Sequence, residues 1–268
     1  MFIPFRLVAI MTLTKSSLRT SPRRAASSNA KHSLAKIVEK KRPIITKEEK
    51  KTTTQENSPS PWYTAFTKSD PIYDAYMETE WGYERRDDKF LFEKLCLEGA
   101  QSGLSWRTIL NKREAYRKFF HGFDIDRVAQ MKSSEVDDIL NSSDRGNDMV
   151  VRHRGKIESV IHNAKQLQTL PERVDDYTHL SDYLWGFVDD KPILNAWKIL
   201  TEVPSKTDES EAMSKALKKL GFKFVGPTTC YSLMQSCGFV VDHPFDTKEW
   251  KEALERLQKR EGGFQDRR

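Results

Sequence analysis

Cysteine is scarce in this 268-residue chain, with only Cys96, Cys230 and Cys237 present. Three thiols cannot pair completely and are too few to staple a small secreted scaffold, so the count points to a reducing compartment. The length is enough for one large or two ordinary domains with a real core, which removes any need for disulfides. Long apolar runs are missing too. None approaches the ~18–20 residues needed to span a bilayer, which excludes a membrane-spanning reading and a membrane partner. Acidic residues are absent from the first 38 positions; the first is Glu39.

Charge is therefore uneven along the chain. The whole carries 45 Lys+Arg against 39 Asp+Glu, a net of +6 with a pI near 9.0, and this hints at a polyanionic partner. Residues 1–60 hold 13 basic and 4 acidic side chains, which leaves 32 and 35 for residues 61–268. The excess thus belongs to the N-terminal segment, and the remainder is slightly acidic. MFIPFRLVAIM followed by KSSLRTSPRRAASS is Arg-rich, Ser-rich and acid-poor, the composition of a mitochondrial or plastid transit peptide. The same segment also fits a disordered basic arm touching nucleic acid, or a nuclear import patch at Lys40-Lys41-Arg42-Pro43. KTTTQENSPSP (51–61) is too poor in apolar residues to pack and reads as a linker. The expected organisation is an arm or transit peptide over 1–60, a folded domain over 61–246 and an amphipathic charged tail over 247–268. There is no internal repeat.

From Trp62 onward the periodicity is mostly 3.6. Asp87 and Asp88 offer N-cap chemistry to KFLFEKLCLEGAQ, where Leu91, Phe92, Leu95 and Cys96 share a face. Ser105 caps WRTILNKREAYRKFF, read as one helix with Trp106, Ile109, Leu110, Tyr116, Phe119 and Phe120 at helical offsets. KIESVIHNAKQLQ carries a stripe of Ile157, Val160, Ile161, Ala164 and Leu167; SEAMSKALKKL and TTCYSLMQSCG follow, the last stopping at Gly238. Strand-like alternation is absent, so the expected fold is all-α.

The last two helices are joined by GFKFVG, a tight turn with Gly221 and Gly226 at its ends. Such a turn can aim backbone N–H groups at a phosphate, aided by the dipole of the following helix. Pro227 suits the first helical position, which needs no donor, and Lys218, Lys219 and Lys223 add positive charge. An ordinary helical corner with a solvated Lys face accounts for the same residues.

SDPIYDAYMETEWG, LFEKLCLEGAQSGLSW, KREAYRKFFHGFD, RHRGKI and SKALKKLGFKFVGPTTCYSLMQSCGFVVDH occur in this order. Together they resemble the Tag family, the bacterial-type DNA-3-methyladenine glycosylases I of the helix-hairpin-helix DNA glycosylase superfamily. The likeness runs from about Ser69 to His243. It implies a helical glycosylase domain that acts in base-excision repair of alkylated double-stranded DNA, hydrolysing the N-glycosidic bond of 3-methyladenine with water as nucleophile. A glycosylase must extrude the nucleotide and hold its base in an aromatic pocket. The alkylated base is cationic, so electron-rich ring faces attract it. On the resemblance, Tyr73, Tyr76 and Trp106 are the pocket aromatics and Glu98 is the carboxylate that reads the adenine edge. Gly103 and Leu104 resemble the loop that fills the space left by the flipped base, and Gly221, Lys223 and Gly226 belong to the DNA-binding hairpin. Packing alone also accounts for Tyr73 and Tyr76, which lie three apart on one helical face.

Asp242 lies in the region after the hairpin where other members of the superfamily place a catalytic Asp, but the Tag family is described as lacking it, so it ranks below Glu98. Arg152, His153, Arg154 and Lys156 fit phosphate contacts and fit equally a solvated basic helix start. One departure concerns metal. The family ties its termini with zinc on two Cys and two His; the matching positions here are Thr64, Met77, His243 and Thr247, of which only the histidine remains. A single imidazole without thiolates does not hold structural zinc, so no cofactor is expected. The terminal tie then falls to packing, with WKEALERLQKR a candidate cover. SSDRGNDMV, longer than its family equivalent, is expected to be a surface loop. No obligate protein partner is indicated. Two other readings remain beside excision of 3-methyladenine: a non-catalytic DNA-binding module, and a glycosylase shifted toward other alkylpurines such as 3-methylguanine or 7-methyl purines.

Overall fold

The computed structural model describes residues 61–174 and 179–268. The basic segment 1–60, with its transit-peptide, nuclear-import and linker readings, lies outside the described residues. In chain order the elements are α1 (Thr64–Thr67), α2 (Pro71–Thr79), α3 (Asp88–Ala100), α4 (Trp106–Leu110), α5 (Arg113–Phe119), α6 (Ile125–Ala129) and α7 (Ser133–Asn141). There follow α8 (Arg154–Gln168), α9 (Leu170–Arg173), α10 (Leu180–Trp185), β1 (Ile193–Asn195), α11 (Asp208–Lys219), α12 (Pro227–Ser236), β2 (Val240–Val241), α13 (Lys248–Gln258) and β3 (Gln265–Arg267). No helix among the described residues is long and apolar enough to cross a membrane.

Helix α3 is the axle of the molecule. It packs against α8, α10 and α12, and every residue from Leu91 to Ala100 is buried, including Glu93, Lys94 and Glu98. Asp87 caps it through Phe90 N at 2.7 Å, while Asp88 reaches across to accept from Ser181 N at 2.7 Å and Leu180 N at 3.2 Å, capping α10 instead. The stripe read for α8 faces this core: Ile157, Val160, Ile161, Ala164 and Leu167 are all buried.

The stretch expected as one helix from Trp106 is two, α4 and α5. Lys112 leaves helical geometry at φ −101° and ψ 2°, and its ammonium bonds Gly146 O and, at 2.8 Å, Met149 O. That bond anchors the 142–150 loop, whose middle is exposed and whose Met149 and Val150 are buried. A second difference is a small parallel sheet in the order β2-β1-β3, with Ile193 opposite both Val240 and Gln265. Strands of two or three residues are too short to show alternation, which is why periodicity misses them. The fold remains all-α, with this sheet a minor addition.

The C-terminal helix is part of the packing. Trp250, Ala253 and Leu257 of α13 form a second apolar cluster with Leu194 and Val241, and Trp250 Nε1 donates to Asn195 O at 2.8 Å. Arg260 grips Glu84 with two bonds of 2.8 and 3.1 Å. Gly238, where α12 ends, has φ +73°, and a Cβ there would sit 2.5 Å from the backbone at Tyr83 and Glu84. The chain leaving α12 and the chain entering α3 thus touch backbone to backbone.

Candidate active site

The residues proposed for a base pocket come from three elements and meet. Tyr73 and Tyr76 lie on α2, Glu98 on the last turn of α3, and Trp106 begins α4. Asp70 caps α2, accepting from Ile72 N at 3.1 Å and Tyr73 N at 3.4 Å; its other oxygen accepts from Arg107 Nη1 at 2.6 Å. Arg107 also donates to the carbonyls of Phe66 and Thr67, so one guanidinium clamps α1 and α2 to α4. At the other end of α2, Arg113 holds Glu80 with bonds of 2.7 and 2.8 Å and also bonds Glu93 on α3. These ion pairs fix the walls, and the rings close between them. Ring centres of Tyr73 and Tyr76 are 6.2 Å apart and those of Tyr76 and Trp106 5.3 Å, all inclined at 45–49°. Exposure of Tyr73, Tyr76, Trp106 and Glu98 is 3–6%, which leaves only edges at the surface.

Sequence reasoning missed the cation in this box. Lys94, fully buried on α3, points its ammonium to 4.5 Å from the centre of the Tyr76 ring and 4.2 Å from that of Trp106, and donates to Tyr76 Oη at 3.0 Å. Burial pushes its pKa down, partly opposed by Glu98 one turn further on. A signal was there: Leu91, Lys94, Leu95 and Glu98 follow i, i+3, i+4, i+7, which puts two charges on the apolar face. Both tyrosines are held protonated, Tyr76 well above the usual phenol range, first by burial and then by the Glu98 carboxylate. Because Tyr76 Oη accepts from Lys94, its own proton is directed away from Lys94. Trp106 Nε1 is buried with no hydrogen-bond partner among the described residues, a donor available to a ligand.

Beside the box lies a projecting turn. Gly103 has φ +78° with open space around it, and Leu104 is 36% exposed, unusual for a large apolar side chain here. Lys156 is not a solvated phosphate contact: it is buried, and its ammonium bonds Ala100 O at 2.8 Å and Ser102 O at 2.6 Å, capping α3 and pinning that turn. Its neighbours are engaged as well. Arg152 bonds Ser142 O and Asp144 O, His153 caps α8 through Lys156 N, and Arg154 pairs with Asp137 at 2.5 Å.

The turn between α11 and α12 stands on the same side of α3. A Cβ on Gly99, next to Glu98, would lie 3.0 Å from Phe224 Cβ, so pocket helix and turn are in direct contact. Gly221 has φ +88° and Phe224 φ 57°. Asn163 on α8 takes both backbone groups of Lys223, its Oδ1 accepting from the N–H at 2.8 Å and its Nδ2 donating to the carbonyl at 3.1 Å. That amide is committed inside the protein, whereas the N–H groups of Phe224, Val225 and Gly226 have no partner among the described residues.

Asp242 is 1% exposed, and its oxygens accept from Asn195 (2.8 Å), Trp197 (2.7 Å), Tyr231 (2.6 Å) and Gln235 (2.8 Å). Four donors saturate the carboxylate, which makes it a tether of β1 and α12, with no lone pair left for a water. At the positions that the resemblance matches to zinc ligands, His243 Nδ1 accepts from Trp62 Nε1 at 3.2 Å, and the ring packs between Trp62 and Trp81 at 5.9 and 5.0 Å. Burial, then Arg256, pushes its pKa down to about 3. Thr64 and Thr247 turn their hydroxyls to local carbonyls, and Met77 is buried. This donor set does not fit zinc, and no group of three or more His, Cys, Asp or Glu suited to a metal occurs among the described residues. The three cysteines are unpaired and buried.

Comparison with known proteins agrees with this geometry. Residues 66–249 match the family described as methyladenine glycosylase. DNA-3-methyladenine glycosylase 1 of Escherichia coli (strain K12) is 46% identical over 178 residues, 66% of this chain and 91% of that protein. The DNA-3-methyladenine glycosylase of Haemophilus influenzae is 46% identical over 172 residues, 64% and 89% of the two chains. Among solved structures, a 3-methyladenine DNA glycosylase I superposes with a TM-score of 0.62 at 44% identity, covering 67% of this chain and 94% of the other. A Tyr-to-Phe variant of such an enzyme bound to 3-methyladenine gives 0.63 at 34% identity, with 69% and 95% covered. A match over that span, in an all-α framework that gathers two tyrosines, a tryptophan and a buried glutamate, establishes the assignment: the chain belongs to the methyladenine glycosylase family of N-glycosyl hydrolases.

Proposed function

We propose that this enzyme excises 3-methyladenine from alkylated double-stranded DNA by hydrolysis of the C1′–N9 bond, after flipping the nucleotide into the Tyr73–Tyr76–Trp106 box. The observation that carries the reading is the box itself, three electron-rich rings around a site that already accommodates a cation, with Glu98 at its edge. A cationic base is attracted to such faces by about 0.5–2 kcal/mol each. Glu98 accepts the exocyclic N–H of adenine and complements the positive charge. Leu104, on its open turn, enters the stack at the vacated position. The N–H groups of Phe224, Val225 and Gly226, at the start of α12, take a backbone phosphate. Alkylation has already made the base a good leaving group, so a positioned water suffices, and neither a metal nor a lysine nucleophile takes part. Residues 1–60 act as an organellar address in this reading; sequencing the mature N-terminus from the native cell, with loss of residues before about Asn57, is the expected result.

The decisive assay incubates the full chain with methylated duplex DNA and quantifies released bases by chromatography. Free 3-methyladenine is the expected product. Binding without release above background at high enzyme overturns the enzyme reading in favour of a DNA-binding module, and preferential release of 7-methyl purines or 3-methylguanine overturns the substrate. Glu98→Gln is expected to lower excision by about 100-fold or more while affinity for undamaged duplex changes by less than about threefold. An equal loss in both would assign Glu98 to the fold.

A further inference from the structure

A fully buried lysine inside an aromatic pocket demands a reason. Its ammonium is 4.2 and 4.5 Å from two ring centres, and its one hydrogen bond among the described residues is to a phenol, Tyr76 Oη, at 3.0 Å. Among the described residues Lys94 forms no ion pair, and Glu98, one turn further on, acts on it electrostatically. The cation position that the box offers to an alkylated base is therefore already filled by the protein. Two positive charges cannot share one dry box without strong repulsion.

We propose that Lys94 is a specificity-determining residue of this pocket: its ammonium holds the cation position between Tyr76 and Trp106 in the free enzyme, and a positively charged base enters only as Lys94 releases its proton to solvent. The inference rests on the proposed base site. The charged and titratable groups around Lys94 are Glu98 on its own helix, Tyr76 and Glu80 from α2, Arg113 from α5 and Cys237 after α12. Burial already lowers the lysine's pKa, so the proton is held weakly. Entry of a cationic base then costs a deprotonation that falls away as pH rises, whereas an uncharged purine pays no such cost. The side chain thus sets a pH-dependent ratio between charged and neutral lesions. Once neutral, its amine still meets Tyr76 Oη and keeps the phenol oriented.

The test compares kcat/KM for 3-methyladenine release by the full chain and by Lys94→Met from pH 6 to 9. The wild-type to variant ratio is expected to rise about tenfold per unit at the acid end and then level off. A ratio that does not change with pH overturns the proposal. Lys94→Arg, which stays charged, is expected to be slow throughout. A measurement independent of any variant's folding uses the permanent cation 3,9-dimethyladeninium as ligand, titrated calorimetrically in buffers of different ionisation enthalpy. Release of up to one proton per site, falling to zero at alkaline pH, is expected; no release at any pH overturns the inference. If wild type frees no 3-methyladenine at any pH, the proposed function itself fails. If it does so with an invariant ratio, only the role of Lys94 fails.

Discussion

His243, buried between two tryptophans, stays neutral because its pKa is about 3 in the fold. The unfolded chain binds that proton near the ordinary value of 6.5, so the stability held by the neutral ring is present above pH 6.5 and lost as pH falls toward 3. The loss is about 1.4 kcal/mol per pH unit at most. His243→Gln keeps an acceptor for Trp62 without titrating. Thermal melts from pH 8 to 5 should show the variant less stable than wild type at pH 8 and with the shallower slope; equal slopes would exclude the His243 account. The adjacent Asp242 works through hydrogen bonds. Asp242→Ala strands four donors, from Asn195, Trp197, Tyr231 and Gln235, and is expected to cost about 3 kcal/mol or more in urea unfolding. Excision per folded molecule should change by less than about fivefold. A hundredfold loss in the still-folded variant would give Asp242 a chemical role instead.

Among the helices, the junction of α3 with the α11–α12 turn joins the proposed base pocket to the proposed DNA contact. Two glycines near it separate packing from backbone freedom. At Gly99 an added Cβ meets Phe224 at 3.0 Å, so Gly99→Ala must move the turn, and about 1–3 kcal/mol of stability should be lost. Weaker DNA affinity should accompany that loss in a duplex-binding titration. At Gly103 a Cβ meets nothing within 4 Å, and only the φ of +78° is unfavourable, so Gly103→Ala should cost about 1 kcal/mol. A Gly99→Ala variant with unchanged stability and unchanged DNA affinity would mean that the turn is not braced on α3. Much at this scale was legible in the residues. The stripe of α8, the Asp87 and Ser105 caps and the stop at Gly238 follow from local chemistry. The split of α4 from α5 was not, because the Lys112 ammonium leaves its own helix for carbonyls more than thirty residues away.

The described residues from 61 onward close around their C-terminal segment. Helix α13 lies largely beyond the family match, which ends at residue 249, yet it buries Trp250, Ala253 and Leu257, and β3 completes the sheet. Ending the chain after Asp246 would expose Leu194 and Val241 and release Glu84 from Arg260. Loss of a buried Trp alone costs about 3–5 kcal/mol, and each kcal/mol is about 2–4 °C in a domain of this size. The truncated chain should therefore melt about 10 °C lower or more by calorimetry, and an unchanged Tm would show the tail to be dispensable.

The sequence by itself determined the helical class, the family and the uneven charge, because these depend on short-range periodicity, on ordered motifs and on composition. Only the tertiary structure decided what surrounds each residue. Lys94 has no assigned role until α2 and α4 close over it, and Lys156, which fits a phosphate contact or a solvated helix start, is decided only when Ala100 O and Ser102 O are found at its ammonium. Asp242 reads as a candidate base until four donors converge on it. A charged group's chemistry is set by its burial and its partners, and both come from segments far away in the chain.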